Sequence, residues 1–226
     1  SVIEITSDTN LPRIDYTGGV GHWLFEPQST NLITYSEDFS DAYWTKSGSS
    51  VVSGFMSPDG GLNAFKLVED TSTGLHYVSA KTIPVTANKY SFSIIAKPNG
   101  RNKIKLALEN YFIAGVSCDF DLINGTVVAG ANAIGKITLL ANGNYRCELS
   151  STINAVGTGN AYGTVYLVND SDSNNYTGDG TSGVYIYGAQ VEQNSYATSY
   201  IPTSGAISTR LADAAFGAGS SDLINS

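Results

Sequence analysis

The amino-acid sequence predicts an all-β chain folded as an antiparallel two-sheet β-sandwich, with a jelly roll as the arrangement that best suits its size. Three observations carry that prediction. Short segments alternate apolar and polar side chains with a period of two, the spacing at which a strand turns one face to a core and the other to water. Asn-Gly, Pro and Gly turn signals separate these segments roughly every ten to fifteen residues. The composition favours strands and turns and is poor in charge, with 14% charged side chains, 24 glycines and 14 tyrosines in 226 residues. No convincing amphipathic helix interrupts the pattern.

In chain order, the first thirty residues read as an irregular lead-in, with a glycine-rich turn at Asp15-Tyr16-Thr17-Gly18-Gly19-Val20-Gly21 between Pro12 and Pro27. Period-two segments begin at Asn31. Tyr90, Phe92 and Ile94 alternate with Ser91, Ser93 and Ile95, and Pro98-Asn99-Gly100 then turns the chain. Ile104, Leu106 and Leu108 form the inward row of the next strand. Cys118, Phe120 and Leu122 follow, opposite Ser117, Asp119 and Asp121, and Asn124-Gly125 marks a hairpin. Ile137 and Leu139 precede a second Asn-Gly pair, Asn142-Gly143, after which Tyr145, Cys147 and Leu149 resume. Two further strands read Thr164 to Val168 and Val184 to Gly188. The total is about nine or ten strands, with Phe92, Ile94, Leu106, Phe120, Leu149, Leu167 and Ile186 in the core. The sandwich is read as residues 31–203, and residues 204–226 as a linker, since the alternation stops from Leu211.

Charge and motif content exclude several functions. A net charge of −8 and a pI of about 4.6 argue against nucleic acid, whose binding needs a basic stripe to displace counterions. No apolar run approaches the ~18–20 residues that cross a bilayer, so membrane insertion is not expected. Cys118 and Cys147 share parity with apolar neighbours, so both thiols point inward, either free or bonded between neighbouring strands. His22 and His76 are the only histidines, and no Gly-x-Ser-x-Gly elbow accompanies them. Gly180-Thr181-Ser182-Gly183 reads as a turn, and the His and Cys residues lack zinc-ligand spacing. Asp119 and Asp121, about 7 Å apart on one strand face, are within reach of a glycosidase pair. Acids at i and i+2 on an exposed strand ordinarily make a solvated face, so the expectation is a protein that is not an enzyme.

Ligand-binding signals are more productive. Asp170 and Asp172 lie in the oxygen-rich loop of residues 169–175, which matches the first ligand positions of a calcium loop. Asn175 stands where that loop has glycine, and Thr181 where it has its closing glutamate. No cofactor is expected beyond a conditional structural calcium. Aromatic rings beside polar residues suit sugars, whose C–H faces pack on rings while Asn, Asp and Gln take their hydroxyls. Trp44 neighbours Tyr43, Asp41 and Lys46; Tyr77 follows His76 where a loop enters a strand; Tyr111 lies between Asn110 and Phe112. At least one of the three is expected on a groove or loop rim. Core burial is the competing reading, for Trp44 above all.

Several motifs together resemble a known type of module. Glu26-Pro27-Gln28-Ser29-Thr30-Asn31-Leu32, Tyr35-Ser36-Glu37-Asp38-Phe39 and Trp44-Thr45-Lys46 are similar to the start of modules in phage tail-fibre and head-spike proteins. Asn144-Tyr145-Arg146-Cys147, the run from Gly178 to Glu192, Thr198-Ser199-Tyr200-Ile201-Pro202-Thr203 and Thr209-Arg210-Leu211-Ala212-Asp213 continue the likeness. The resemblance covers about Pro12 to Asp213. It implies a jelly roll similar to carbohydrate-binding modules, without a shared catalytic set. It also implies a virion appendage that meets bacterial surface polysaccharide and other virion proteins, as a homotrimer. Related jelly rolls hold a structural calcium where first and last strands meet, which here would recruit oxygens near Glu37, Asp38 and Glu192. Two alternatives stay open: a purely structural capsid or fibre element, and an accessory module of a secreted polysaccharide-degrading enzyme.

Overall fold

The computed structural model describes residues 13–15 and 22–213. In chain order the strands are β1 (Arg13–Asp15), β2 (His22–Leu24), β3 (Ser29–Asn31), β4 (Trp44–Ser47), β5 (Ser49–Phe55) and β6 (Ala64–Glu69). They continue as β7 (Thr73–Leu75), β8 (Tyr77–Val85), β9 (Ser91–Asn99), β10 (Lys103–Glu109), β11 (Ser117–Asp121) and β12 (Thr126–Ala129). The last are β13 (Ala133–Leu139), β14 (Tyr145–Ser151), β15 (Gly159–Val168), β16 (Asn175–Thr177), β17 (Gly183–Glu192) and β18 (Ser208–Arg210). No α-helix occurs among the described residues.

Residues 30–208 form one unit and the flanking residues another. In the flanking unit β1 pairs antiparallel with β2, so the described part of the lead-in is less irregular than the sequence reading has it. Its glycine-rich turn, residues 16–21, lies outside the described residues, as do residues 214–226 of the linker reading. The described part of that linker, residues 204–213, contains the short strand β18. Arg210 pairs with Glu26 at 2.8 Å, and the Glu26 amide donates to Asp213 at 2.9 Å.

The main unit is an antiparallel two-sheet jelly roll. A front sheet of six strands runs β12-β11-β10-β15-β8-β4, and a back sheet of six runs β13-β14-β9-β17-β6-β5. The chain crosses between sheets at β4 to β5, β6 to β8, β8 to β9, β9 to β10, β12 to β13, β14 to β15 and β15 to β17. Inward rows follow from the alternation in the sequence. Phe92, Ile94, Leu106, Phe120, Leu149, Leu167 and Ile186, all read from the sequence as core, are at most 1% exposed. Each such burial is worth about 1.5–3 kcal/mol against full exposure. Cys118, on the front sheet, and Cys147, on the back, are free and buried, and burial pushes the Cys118 thiol up to about 12.

The two Asn-Gly pairs fold differently. Asn142 and Gly143 both take positive φ, 60° and 72°, and the Asn144 amide closes the turn onto Ala141 O at 3.3 Å. At the other pair only Gly125 does so, with φ 64°. There Asp121 caps the amides of Ile123 and Asn124, each at 2.9 Å, so the loop lengthens to residues 122–125 between the paired Asp121 and Thr126.

The outer faces of the two sheets have different fates. Residues 193–203 cross the back sheet's outer face as a strap. Glu192 accepts from the Thr198 amide at 2.9 Å and from its hydroxyl, and Gln190 accepts from the Ile201 amide at 2.6 Å. Arg146 donates to the Thr198 carbonyl, and Thr198 and Ile201 are buried. Among the described residues no such strap crosses the front sheet's outer face, although Ser79, Thr164 and Tyr166 on it are buried.

Candidate functional site

Register across the front sheet decides what its outer face displays. β8 pairs Tyr77 with Tyr166 of β15, which lies opposite Lys105 of β10, then Asp119 of β11 and Val128 of β12. These five alternate with core residues on their own strands, so they form one outward row across five strands. At about 4.8 Å between strands the row spans about 19 Å. Its two ends differ in chemistry. The Tyr77 and Tyr166 rings lie 5.3 Å apart at 60°, Tyr77 half-buried and Tyr166 buried beside it. Lys105 pairs with Asp119 at 3.3 Å in the middle.

Shallow hollows flank this ridge. One, of about 280 Å³, is bordered by Lys105, Glu109, Ile113, Ser117, Tyr166 and Asn174. The other, of about 200 Å³, is bordered by Lys103, Asp119, Asp121, Val128 and Asp172. Glu109 is fixed in the first by Tyr166, whose hydroxyl donates at 2.8 Å, and by Thr164 at 2.6 Å. Thr164 is in turn tied to Ser79 at 2.9 Å. Burial first, and the Glu109 carboxylate second, raise the Tyr166 pKa, so the phenol stays a donor. Lys81 lies 5.6 Å over the Tyr162 ring on the same face. Fixed carboxylates, amphipathic rings and ammonium groups on a preformed surface are what polyhydroxyl ligands need.

The residues singled out from the sequence are scattered. Tyr77 lies on this face, half-buried. Trp44 is 2% exposed and packs on Phe39 at 4.8 Å, with its indole donating to Tyr35 O at 2.8 Å, so it is a core residue and not a surface contact. Tyr111 lies over Gly159, where a Cβ would stand 2.1 Å from its ring, and packs against the core beside the first hollow. The residues named for calcium are engaged separately. Among the described residues no group of three or more His, Cys, Asp or Glu is placed to hold an ion. Asp38 caps Ser40, accepting from its amide at 3.0 Å, and Glu192 is buried under Thr198. Asp170 is exposed, and Asp172 pairs with Lys103 at 2.6 Å instead. Tyr166, Glu109, Thr164 and Lys105 were not singled out. The signal was present in the alternation of Tyr162, Thr164 and Tyr166 against Gly163, Val165 and Leu167; their cross-strand partners were not legible.

Asp121, of the Asp119 and Asp121 pair, does not carry the raised pKa of a general acid. Burial raises the Asp121 pKa, but hydrogen bonds from Asn124 and Ile123 and the charge of Lys103 outweigh it and leave the carboxyl below its usual range. A general acid needs the opposite shift.

No family model matches the chain, and no curated protein matches it. Among solved structures it is similar to TmCBM61 in complex with β-1,4-galactotriose, at 14% identity over 73% of this chain and 99% of that one, TM-score 0.44. It is also similar to the enzymatically active domain of bacteriophage CBA120 tailspike protein 4, at 15% identity over 71% of this chain, TM-score 0.44. A third is the Clostridium thermocellum xylanase 10B with its CBM22-1 and GH10 modules, at 12% identity over 79% of this chain, TM-score 0.40. The chain spans 21% and 30% of the last two. At these TM-scores the likenesses carry no argument, and the sandwich rests on its own two sheets.

Proposed function

We propose that this module binds glycan on the open face of its front sheet, without catalysis, as part of a phage fibre or spike that meets bacterial surface polysaccharide. The observation that carries the binding reading is the outward row Tyr77–Tyr166–Lys105–Asp119–Val128 with a hollow on each side. Its length suits an oligosaccharide lying across the strands, with the Tyr77 ring under a sugar face, Tyr166 supporting it from below, and Glu109, Lys105 and Asp119 at hydroxyls. The virion setting rests on the resemblance of the terminal motifs, as do the virion partners and the homotrimer. The absence of catalysis is supported by the lowered Asp121 carboxyl and by His76, buried between backbone carbonyls of Gly48 and Tyr176. A glycan array of bacterial capsular and O-antigen polysaccharides tests the reading. Binding without turnover is the expected result. Depolymerisation that Asp119→Asn or Asp121→Asn abolishes would make the module an enzyme, and a blank array would favour a structural fibre element.

A further inference from the structure

A third hollow, of about 460 Å³, lies away from the front face, bordered among others by Tyr35, Glu37, Asp38, Ser53, Phe65 and Ser204. Its floor is apolar: Phe65 is buried and packs edge-on to Phe39 at 5.8 Å. Tyr35 forms a wall, its ring tilted against Tyr43 at 6.0 Å.

Above that floor the groups are acceptors. Glu37 is held rigid, with Oε1 accepting from the hydroxyls of Tyr187 at 2.9 Å and Tyr200 at 3.1 Å, and Oε2 from the Asn63 amide at 3.3 Å. Asp38 commits Oδ1 to Ser40. Among the described residues its Oδ2 has no donor, and the hydroxyls of Tyr35, Ser53 and Ser204 have no partner. No lysine or arginine borders the hollow. Lys46, whose charge bears on Asp38, donates to the carbonyls of Ser40 at 3.2 Å and Asp41 at 3.0 Å.

The half-buried Glu37 and the exposed Asp38 therefore border a hollow lined by no cation, and among the described residues no group of three or more His, Cys, Asp or Glu is placed to hold a metal ion. A neutral ligand filling the cavity would strip water from both carboxylates without replacing it by charge. A ligand that brings one ammonium with directional N–H donors would satisfy them. We propose that this hollow binds the terminal residue of a glycan carrying a free ammonium group, a hexosamine without its N-acetyl cap. The ammonium lies between Glu37 and the free oxygen of Asp38. The sugar ring packs on Tyr35 over Phe65, and Ser53 and Ser204 meet ring hydroxyls. This site stands independently of the front face.

Calorimetric titration of the intact module with tetraglucosamine, its fully N-acetylated counterpart and n-butylammonium tests the proposal. Tetraglucosamine is expected to bind about tenfold or more tightly than either control, the factor made by ~1.4 kcal/mol of charge-assisted bonding. Asp38→Asn keeps the Ser40 cap and is expected to fold normally but weaken binding about tenfold; Ser204→Ala, at an exposed hydroxyl, gives a second readout in the same direction. Tyr77→Ala on the front face is expected to leave this affinity unchanged. Equal binding of the N-acetylated oligomer, or full affinity in both Asp38→Asn and Ser204→Ala, overturns the proposal. Loss of binding in Tyr77→Ala also overturns it, and assigns the amino sugar to the front face.

Discussion

Glu69 is fully buried, and its carboxylate is closed in by four donors. Arg101 reaches it through two nitrogens at 2.6 Å each, the Tyr176 hydroxyl at 2.7 Å and the Asp179 amide at 2.8 Å. Burial pushes its pKa up, but these bonds, led by Arg101, outweigh it and bring it below 4.5. A lowered carboxyl contributes stability that is present above the unfolded pKa and lost as pH falls through the folded one. Urea midpoints measured from about pH 6 down to about pH 3 should therefore fall in the wild type, and fall less in Glu69→Gln, which has nothing to protonate there. Arg101→Ala should cost about 3–5 kcal/mol, because it strands a buried charge. Trp44→Ala should likewise cost about 3–5 kcal/mol in unfolding free energy, as a core truncation. The Trp44 ambiguity could not be resolved from sequence, since an aromatic beside polar neighbours reads the same at a rim as at a strand whose parity turns it inward.

At the scale of elements, the strap over the back sheet depends on a bulge in β17. The register shifts between Tyr187 and Gln190, which turns Gln190 and Glu192 outward to meet the strap and Val191 inward. Gly188 makes this possible, with φ 63° and the Tyr200 ring 3.2 Å from where a Cβ would lie. Gly188→Ala should destabilise by about 1–2 kcal/mol for the left-handed backbone alone. Hydrogen exchange should show protection at Thr198 and Ile201 falling before that of the sheets. The alternation from Val184 to Tyr187 was legible, with Tyr185 and Tyr187 outward, because it obeys the period of a strand. The bulge was not, since one extra residue leaves composition unchanged and flips parity only beyond it. The Asn-Gly pairs likewise announced hairpins, while their loop lengths were decided by the Asp121 carboxylate in one case and by two left-handed residues in the other.

For the whole molecule, two sheets with the same inward chemistry are distinguished by what covers their outer faces. The strap takes up the back face and its polar side chains, and the front face keeps Tyr77, Lys105, Asp119 and Val128 within reach of solvent around the buried Tyr166. Sequence parity could place each of these residues on an outward face, and Tyr77 was singled out. Which strands lie side by side is a long-range matter, fixed by β15 entering between β10 and β8, and so the row itself could not be read. The central claim is that this row binds glycan. The most direct measurement is the affinity of the wild type and of Tyr77→Ala for a polysaccharide selected on the array, with thermal unfolding recorded for both. Tyr77 is half-buried on an outer face, so the account predicts affinity lower by about 1–3 kcal/mol with little change in melting temperature. Unchanged affinity in Tyr77→Ala, with the fold intact, would contradict it.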